Sequence, residues 1–282
     1  MPANSLSRRV LKKIFFPLLN ERSYRVIQGT AKAWDILTGS WYEPELDLVP
    51  FTVRPGDTVL DIGANYGFYS FHLSRAVGPS GRVYAFEPVP FTHATLALVA
   101  KILQFKNVEI VSKGCSDRNG IVSFTLPVQH SGPLSAGLAH LGQRNNERSG
   151  KGTHFPYEKT REILCDVIAL DDFLPKLRIL SFIKCDIEGA ELLAFRGAER
   201  MIREHRPTVL CEINPWFLEG FGIQLQELVE FFFEKGYQLY RYVGQNKRGK
   251  LKVTTPEEVV EDNFLFVHPK RIDRLTPLLD SS

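Results

Sequence analysis

The sequence predicts an α/β fold built on a mostly parallel sheet, and three observations carry that reading. Short, apolar, β-rich runs alternate with amphipathic helical runs from about residue 51 onward. The first such run, Thr58-Val59-Leu60-Asp61-Ile62, enters the turn Gly63-Ala64-Asn65-Tyr66-Gly67 and then a helical pattern. The chain closes on two strand-like runs, Tyr237–Arg241 and Asn263–Val267, with no good helix between them. Two such strands can pair antiparallel at one edge of the sheet.

In chain order, residues 1–50 read as a mostly helical extension punctuated by Gly29, Gly39, Pro44 and Pro50. Within it, Arg8, Arg9, Lys12 and Lys13 precede Ile14-Phe15-Phe16-Pro17-Leu18-Leu19. That apolar run is short and broken by Pro17, unlike a signal peptide. No stretch approaches the ~20 apolar residues of a membrane span. Peripheral membrane contact through residues 5–20 and simple packing on the domain both stay open.

Strands are expected at 58–62, 82–86, 107–111, 163–168, 180–185 and 208–213, and helices at 66–77, 90–104, 189–204 and 223–235. Parallel strands joined through helices imply right-handed crossovers. Residues 127–161 break the alternation with five glycines and the polar run Gln143–Ser149. A loop this long inside a compact domain is usually functional, so a lid or substrate-binding insertion is expected. The expected organisation is thus an extension (1–50), one domain with an insertion (51–270) and a tail (271–282).

Composition sets limits. Hydrophobic residues at 44% and charged residues at 24% suit a soluble globule, and a net charge of +3 is too small to suggest nucleic acid. Cys115, Cys165, Cys185 and Cys211 form no C-x-x-C and sit in apolar, strand-like contexts. Buried free thiols and a cytoplasmic location are therefore expected. None of the seven histidines shows metal-ligand spacing. His72 and His205 read as structural, while His140 and His154 fall in the insertion.

The chemistry concentrates at strand ends, where ligands of open α/β sheets bind. Gly63 and Gly67 let backbone approach a ligand closely. Glu87 ends the second strand 20 residues after Gly67, near the ~20-residue offset of a ribose-binding carboxylate. A carboxylate there can accept from both hydroxyls of a cis-diol. Asn65 stands where a dinucleotide fingerprint has its middle glycine, so a single-adenosine ligand such as S-adenosylmethionine fits better than NAD. Asp61 can accept from an amine or from turn amides. After the third strand, Asp117 could accept the adenine amino group, with Ser116 assisting. Asp186 ends the apolar run Phe182-Ile183-Lys184-Cys185, Glu188 follows it, and Glu212 repeats the arrangement on the next strand. These three acids could form a cluster that acts as general base, holds a hydroxyl-rich substrate or binds a divalent cation. The metal reading is the weakest, because Lys184 can neutralise the charge instead.

These motifs resemble the FkbM family of S-adenosylmethionine-dependent methyltransferases. The matching segments are Asp61–Gly67, Ala85-Phe86-Glu87-Pro88, Phe182–Glu191, Arg196-Gly197-Ala198, Arg206-Pro207 and Asn263–Val267, with Gly39–Glu43 similar to the family's aromatic-acid lead-in. The resemblance implies a class I methyltransferase fold: a three-layer sandwich around a seven-stranded, mostly parallel sheet with an antiparallel last strand. It also implies methyl transfer to a hydroxyl of a sugar or other small natural product, with S-adenosylmethionine as cofactor. Asp61, Gly63, Asn65, Tyr66 and Gly67 would then shape the methionine side of the pocket. Glu87 would hold the ribose, Ser116 and Asp117 would border the adenine, and Asp186 would act as base with Glu212 and Glu188 in support.

Overall fold

A computed structural model describes residues 20–128, 140–141, 159–173, 177, 179–244 and 249–280. The chain forms strands β1 (Thr58–Ile62), β2 (Arg82–Phe86), β3 (Val108–Val111), β4 (Gly114–Cys115), β5 (Gly120–Val128) and β6 (His140–Leu141). It continues through β7 (Lys159–Ile168), β8 (Leu180–Cys185), β9 (Thr208–Ile213), β10 (Gln238–Val243), β11 (Lys250–Val253) and β12 (Asp262–Val267). The main helices are α1 (Glu21–Leu37), α2 (Phe68–Val77), α3 (Pro90–Ile102), α4 (Glu191–Arg196), α5 (Glu199–His205) and α6 (Leu225–Phe233).

The central sheet has the order β11-β10-β12-β9-β8-β1-β2-β3. Strands β3, β2, β1, β8 and β9 are parallel, and β12 is antiparallel to both β9 and β10. The antiparallel last strand is as expected. The sheet has eight strands rather than seven, because β11 adds an antiparallel edge to β10.

Strand β8 is buried at all six positions, which is why it reads as a continuous apolar run. Its two faces meet two apolar layers. On one side Ile183 and Cys185 join Phe195, Phe232 and Phe264, and on the other Phe182 joins Phe68, Leu73 and Leu265. Phe232 stacks on Phe266 with centroids 4.1 Å apart. Each fully buried side chain of this size stabilises the fold by about 1.5–3 kcal/mol.

Three expectations need correction. The strand expected at 163–168 spans Lys159–Ile168 and lies outside the central sheet. It pairs antiparallel with β5 from Gly120↔Val167 to Val128↔Lys159 in a second sheet, ordered β4-β7-β5-β6. Phe124, Leu126, Cys165 and Val167 bury against one another there, so a separate small core rewards the pairing. The helix expected at 189–204 is two helices, α4 and α5. The chain breaks at Gly197, where a Cβ would lie 1.9 Å from the Ser116 carbonyl oxygen. An unforeseen short helix, Pro215–Gly220, precedes α6 and is capped by Asn214. Most of the insertion, including His154, and the N-terminal residues 1–19 lie outside the described residues.

Candidate active site

The strand ends meet at a cleft of about 210 Å³. It opens where β1, β2, β8 and β9 finish, and six of the residues singled out in the sequence line it: Gly63, Asn65, Glu87, Asp186, Glu188 and Glu212. Pro88, Val89, Phe124 and Ile187 complete the wall.

The turn after β1 is built around left-handed backbone. Gly63, Asn65 and Gly67 all have positive φ (80°, 48° and 86°), which glycine tolerates freely and asparagine better than most residues. Gly63 is required by close packing as well, since a Cβ there would lie 1.9 Å from the Asp186 carbonyl oxygen. This turn hangs on β2: the Gly63 and Ala64 amides donate to the Phe86 carbonyl. The Asn65 amide donates to Glu87 Oε2 at 3.1 Å, and the Val89 amide to Glu87 Oε1 at 3.0 Å. Each carboxylate oxygen keeps acceptor capacity toward the cleft. Burial pushes the Glu87 carboxyl up to about 8, against the two amides that favour its charge. Asn65 Oδ1 is buried with no hydrogen-bond partner among the described residues, so it is an acceptor awaiting a donor.

The opposite wall is acidic. The Asp186 amide donates to the Ile62 carbonyl at 3.0 Å, which locks the end of β8 to β1. Beyond it, Glu188 and Gly189 take positive φ (59° and 107°). The buried Glu191 carboxylate holds this turn by accepting from the Ile187 and Gly189 amides at 3.1 and 3.0 Å. Glu191 thus serves the start of α4 rather than the cleft. Across from Asp186, burial first and then the Asp186 charge push the Glu212 carboxyl well above the usual carboxylate range. Glu212 therefore holds its proton to higher pH than an ordinary carboxyl does.

Lys184 lies behind both acids and is almost fully buried. Its ammonium is 3.7 Å from Asp186 Oδ2 and donates to Asn263 Oδ1 at 3.1 Å. Burial works to lower its pKa, but Asp186, Glu212 and Glu43 outweigh burial and raise it. Glu43 arrives from the N-terminal segment. Its Oε1 accepts from Trp41 Nε1 at 3.1 Å, and Trp41 stacks on Phe68 of α2 at 4.5 Å. A lysine inside an otherwise apolar strand is the sequence signal for this buried ion pair, because lysine is almost never buried unless paired.

Five other sequence candidates sit outside the cleft wall. Asp61 is buried under α2, where it accepts from the Ser70 hydroxyl at 2.5 Å. Burial raises its carboxyl to about 6 despite that bond. Tyr66 is buried, its hydroxyl accepting from Gln28 at 2.7 Å. Gly67 faces Leu96, which would lie 2.6 Å from a Cβ. Ser116 is buried beside Gly197, and Asp117 is exposed. Phe124 was missed by sequence reasoning. It reaches the cleft from the second sheet, and only the β5–β7 pairing puts it there.

All four cysteines are buried and free. His72 sits between Phe68 and Phe71, with ring centroids 5.2 and 5.1 Å away. Burial lowers its pKa to about 4, so it stays neutral. Among the described residues, no group of three His, Cys, Asp or Glu side chains is arranged to hold a metal ion, and no helix is long and apolar enough to cross a membrane.

The chain is similar in sequence to known methyltransferases. A family model described as a methyltransferase FkbM domain matches residues 61–239. Methyltransferase 1 of Beauveria bassiana is 27% identical over 161 residues, covering 54% of this chain and 62% of that protein. Methyltransferase sdnD of Sordaria araneosa is 26% identical over 202 residues, covering 65% of this chain and 74% of the other. The crystal structure of methyltransferase FkbM from Methylobacillus flagellatus aligns over 79% of this chain and 50% of that one, with 19% identity and a TM-score of 0.47. The chain therefore spans less than two thirds of the first of these curated relatives and half of this solved structure. Since the family model covers more than half of the sequence, from the first strand-end acid to the tenth strand, the chain belongs to the methyltransferase FkbM domain family.

Proposed function

We propose that this protein is an S-adenosylmethionine-dependent methyltransferase that acts on a hydroxyl of a sugar or other small, uncharged natural product. The observation that carries the reading is the pairing of two walls in one cleft. One wall offers acceptors to a nucleoside, and the other holds an acid pair at the ends of β8 and β9.

The residues present fit the cofactor. Asn65 Oδ1 lacks a donor, and Glu87 has a free acceptor position on each oxygen. An amino acid ammonium and a ribose cis-diol supply donors of the required kind. When bound, the cofactor supplies an electrophilic methyl group. The chain's own task is to align an acceptor oxygen within about 3 Å of that carbon and to take its proton. Asp186 is the proposed base, because its carboxylate borders the cleft and is 38% exposed beside a fixed ammonium. Glu212, protonated, can donate to an acceptor oxygen or to Asp186. Glu188 supports the same wall. The described lining includes four acids and no basic side chain, which disfavours phosphorylated or carboxylate acceptors and favours neutral polyols.

The test is isothermal titration with S-adenosylmethionine and S-adenosylhomocysteine, with and without magnesium, followed by transfer assays on hydroxylated acceptors. Micromolar binding and methyl transfer to an oxygen support the proposal. Absence of binding to both ligands overturns it. A magnesium requirement would replace Asp186 as base with a metal-assisted step.

A further inference from the structure

We infer, on the cofactor reading above, that Lys32 of α1 is a further cofactor-binding residue whose ammonium pairs with the carboxylate of the amino acid carried by S-adenosylmethionine. That amino acid is a zwitterion, so its site needs an acceptor for the ammonium and a cation for the carboxylate. Asn65 Oδ1, buried without a partner among the described residues, is such an acceptor. The described wall of the cleft supplies no cation, and it carries four carboxyls, those of Glu87, Asp186, Glu188 and Glu212. A ligand carboxylate placed among them with no cation would face like charge. Lys184 does not serve, because its ammonium lies behind the acids and is held by Asp186 and Asn263.

The fold brings a different lysine to the glycine turn. Gln28 and Lys32 are four residues apart on α1 and so share one side of the helix. Both meet Tyr66, the residue that follows Asn65 in the turn. Gln28 Nε2 donates to the Tyr66 hydroxyl at 2.7 Å, and the Lys32 ammonium lies 5.2 Å from the centroid of the same ring. The Trp41 ring is closer, with its centroid 4.2 Å from the ammonium. Trp41 in turn stacks on Phe68, the first residue of α2. Two aromatic rings, both attractive to a cation, therefore hold the Lys32 head beside the turn where α2 begins. Lys32 is half-buried, and its flexible four-carbon stem allows the head to move toward a ligand. The start of α2 favours the same ligand group. Its N-cap is Gly67, which has no side chain to satisfy the first-turn amides, and the positive end of the helix dipole lies at this turn. An acceptor at Asn65 and a cation over Tyr66 thus serve one turn, as a zwitterion requires.

The test is calorimetric titration of the full chain, Lys32→Met and Lys32→Arg with S-adenosylhomocysteine and with 5′-methylthioadenosine. The second ligand has the same nucleoside and thioether but no amino acid. Lys32→Met should bind S-adenosylhomocysteine at least about tenfold more weakly than the parent, the loss of one charge-assisted hydrogen bond, and 5′-methylthioadenosine within about twofold of the parent. Lys32→Arg should recover most of the lost affinity, because the charge is restored. Unchanged affinity of Lys32→Met for S-adenosylhomocysteine overturns the proposal and leaves the cofactor reading in place. An equal loss for both ligands also overturns it, since Lys32 would then only support the glycine turn. A parent chain that binds neither ligand overturns the cofactor reading and this proposal together.

Discussion

Two acids, the buried Glu87 and the half-buried Glu212, line one cleft and are held in opposite ways. Glu87 is gripped by the main chain, with one backbone amide on each oxygen. Glu212 is governed by side chains: Asp186 raises its pKa, and Lys184 opposes the rise. Burial lifts both groups, but the consequences differ. The direction of Glu87 is fixed by the fold of the glycine turn and survives most side-chain changes around it. The proton on Glu212 depends on two neighbours, so a single substitution there rewires the acidic wall. The first arrangement suits recognition of an invariant ligand, and the second suits proton movement.

The largest effect expected is on the side-chain-held wall. Asp186→Asn should lower turnover by about 10²- to 10⁴-fold, the usual contribution of a general base. It should change S-adenosylhomocysteine affinity little, because no main-chain grip on the ligand is lost. Steady-state kinetics and calorimetry together check this. Equal turnover would remove Asp186 from proton transfer.

Glu87→Ala comes next, with affinity for S-adenosylhomocysteine reduced by about 100-fold or more, since two charge-assisted hydrogen bonds are lost at about 1.5–3 kcal/mol each. Its pH dependence separates the two walls further. A carboxylate that accepts two hydroxyls must be ionised, so binding should tighten as pH rises toward about 8 and should release a proton near neutrality. Stability runs the other way. The folded pKa is raised above its ordinary 4.5, so the contribution of Glu87 is fully present below that value and is lost as pH rises through about 8. Glu87→Gln should flatten both profiles. Parallel melting and titration series across that window give the answer, and unchanged slopes in the variant would assign the proton elsewhere.

Lys184→Met tests what the side-chain wall costs to maintain. Removing one partner of a fully buried ion pair costs about 3–5 kcal/mol. The Asp186 side chain is 38% exposed, so about 2–3 kcal/mol is expected here. Denaturant unfolding measures the loss. The double variant with Asp186→Asn should recover part of it, because the unpaired charge is gone. Full additivity of the two losses would show that the 3.7 Å contact carries no coupling.

The difference between the walls also explains what the sequence made legible. Strands β1, β2, β8 and β9 are mostly buried runs of five or six residues with an acid within one position of their ends, and such runs declare themselves. Which way an acid points did not follow from its position. Asp61 shares a sheet face with Val59, so it lies beneath α2 against Ser70 while Glu87, one strand over, reaches the cleft. Gly67 shapes the turn from behind. The second sheet stayed hidden for a different reason. Its strands bury one side only, with Ile121 and Leu164 exposed at 68% and 74%. That weak alternation is interrupted by Pro127 and follows the turn Asp117–Gly120, so β5 looks like loop until β7 is laid beside it. Ser116 and Asp117 were read as strand-end ligands on a local pattern. The place of Ser116 against Gly197 depends on a contact made some 80 residues later in the chain, and Asp117 is left exposed.

The smallest effect expected is at Phe124, the one residue among those described that the second sheet gives to the cleft. Phe124 is 7% exposed and also lines a smaller apolar recess with Ile62, Gly114, Ile187 and Ala190. It has no polar atom, so its contribution to a bound nucleoside is contact area alone. Phe124→Ala should weaken S-adenosylhomocysteine binding by about 3- to 10-fold, one or so kcal/mol of lost contact. Phe124→Leu fills most of the same space and should restore the affinity. The pair of variants separates contact with the ligand from support of the small core, because Leu retains the burial against Cys165 and Val167 in either case. If calorimetry shows no change with Ala, the second sheet borders the cleft without touching the ligand. Recognition would then rest on the main-chain-held wall of the central sheet alone.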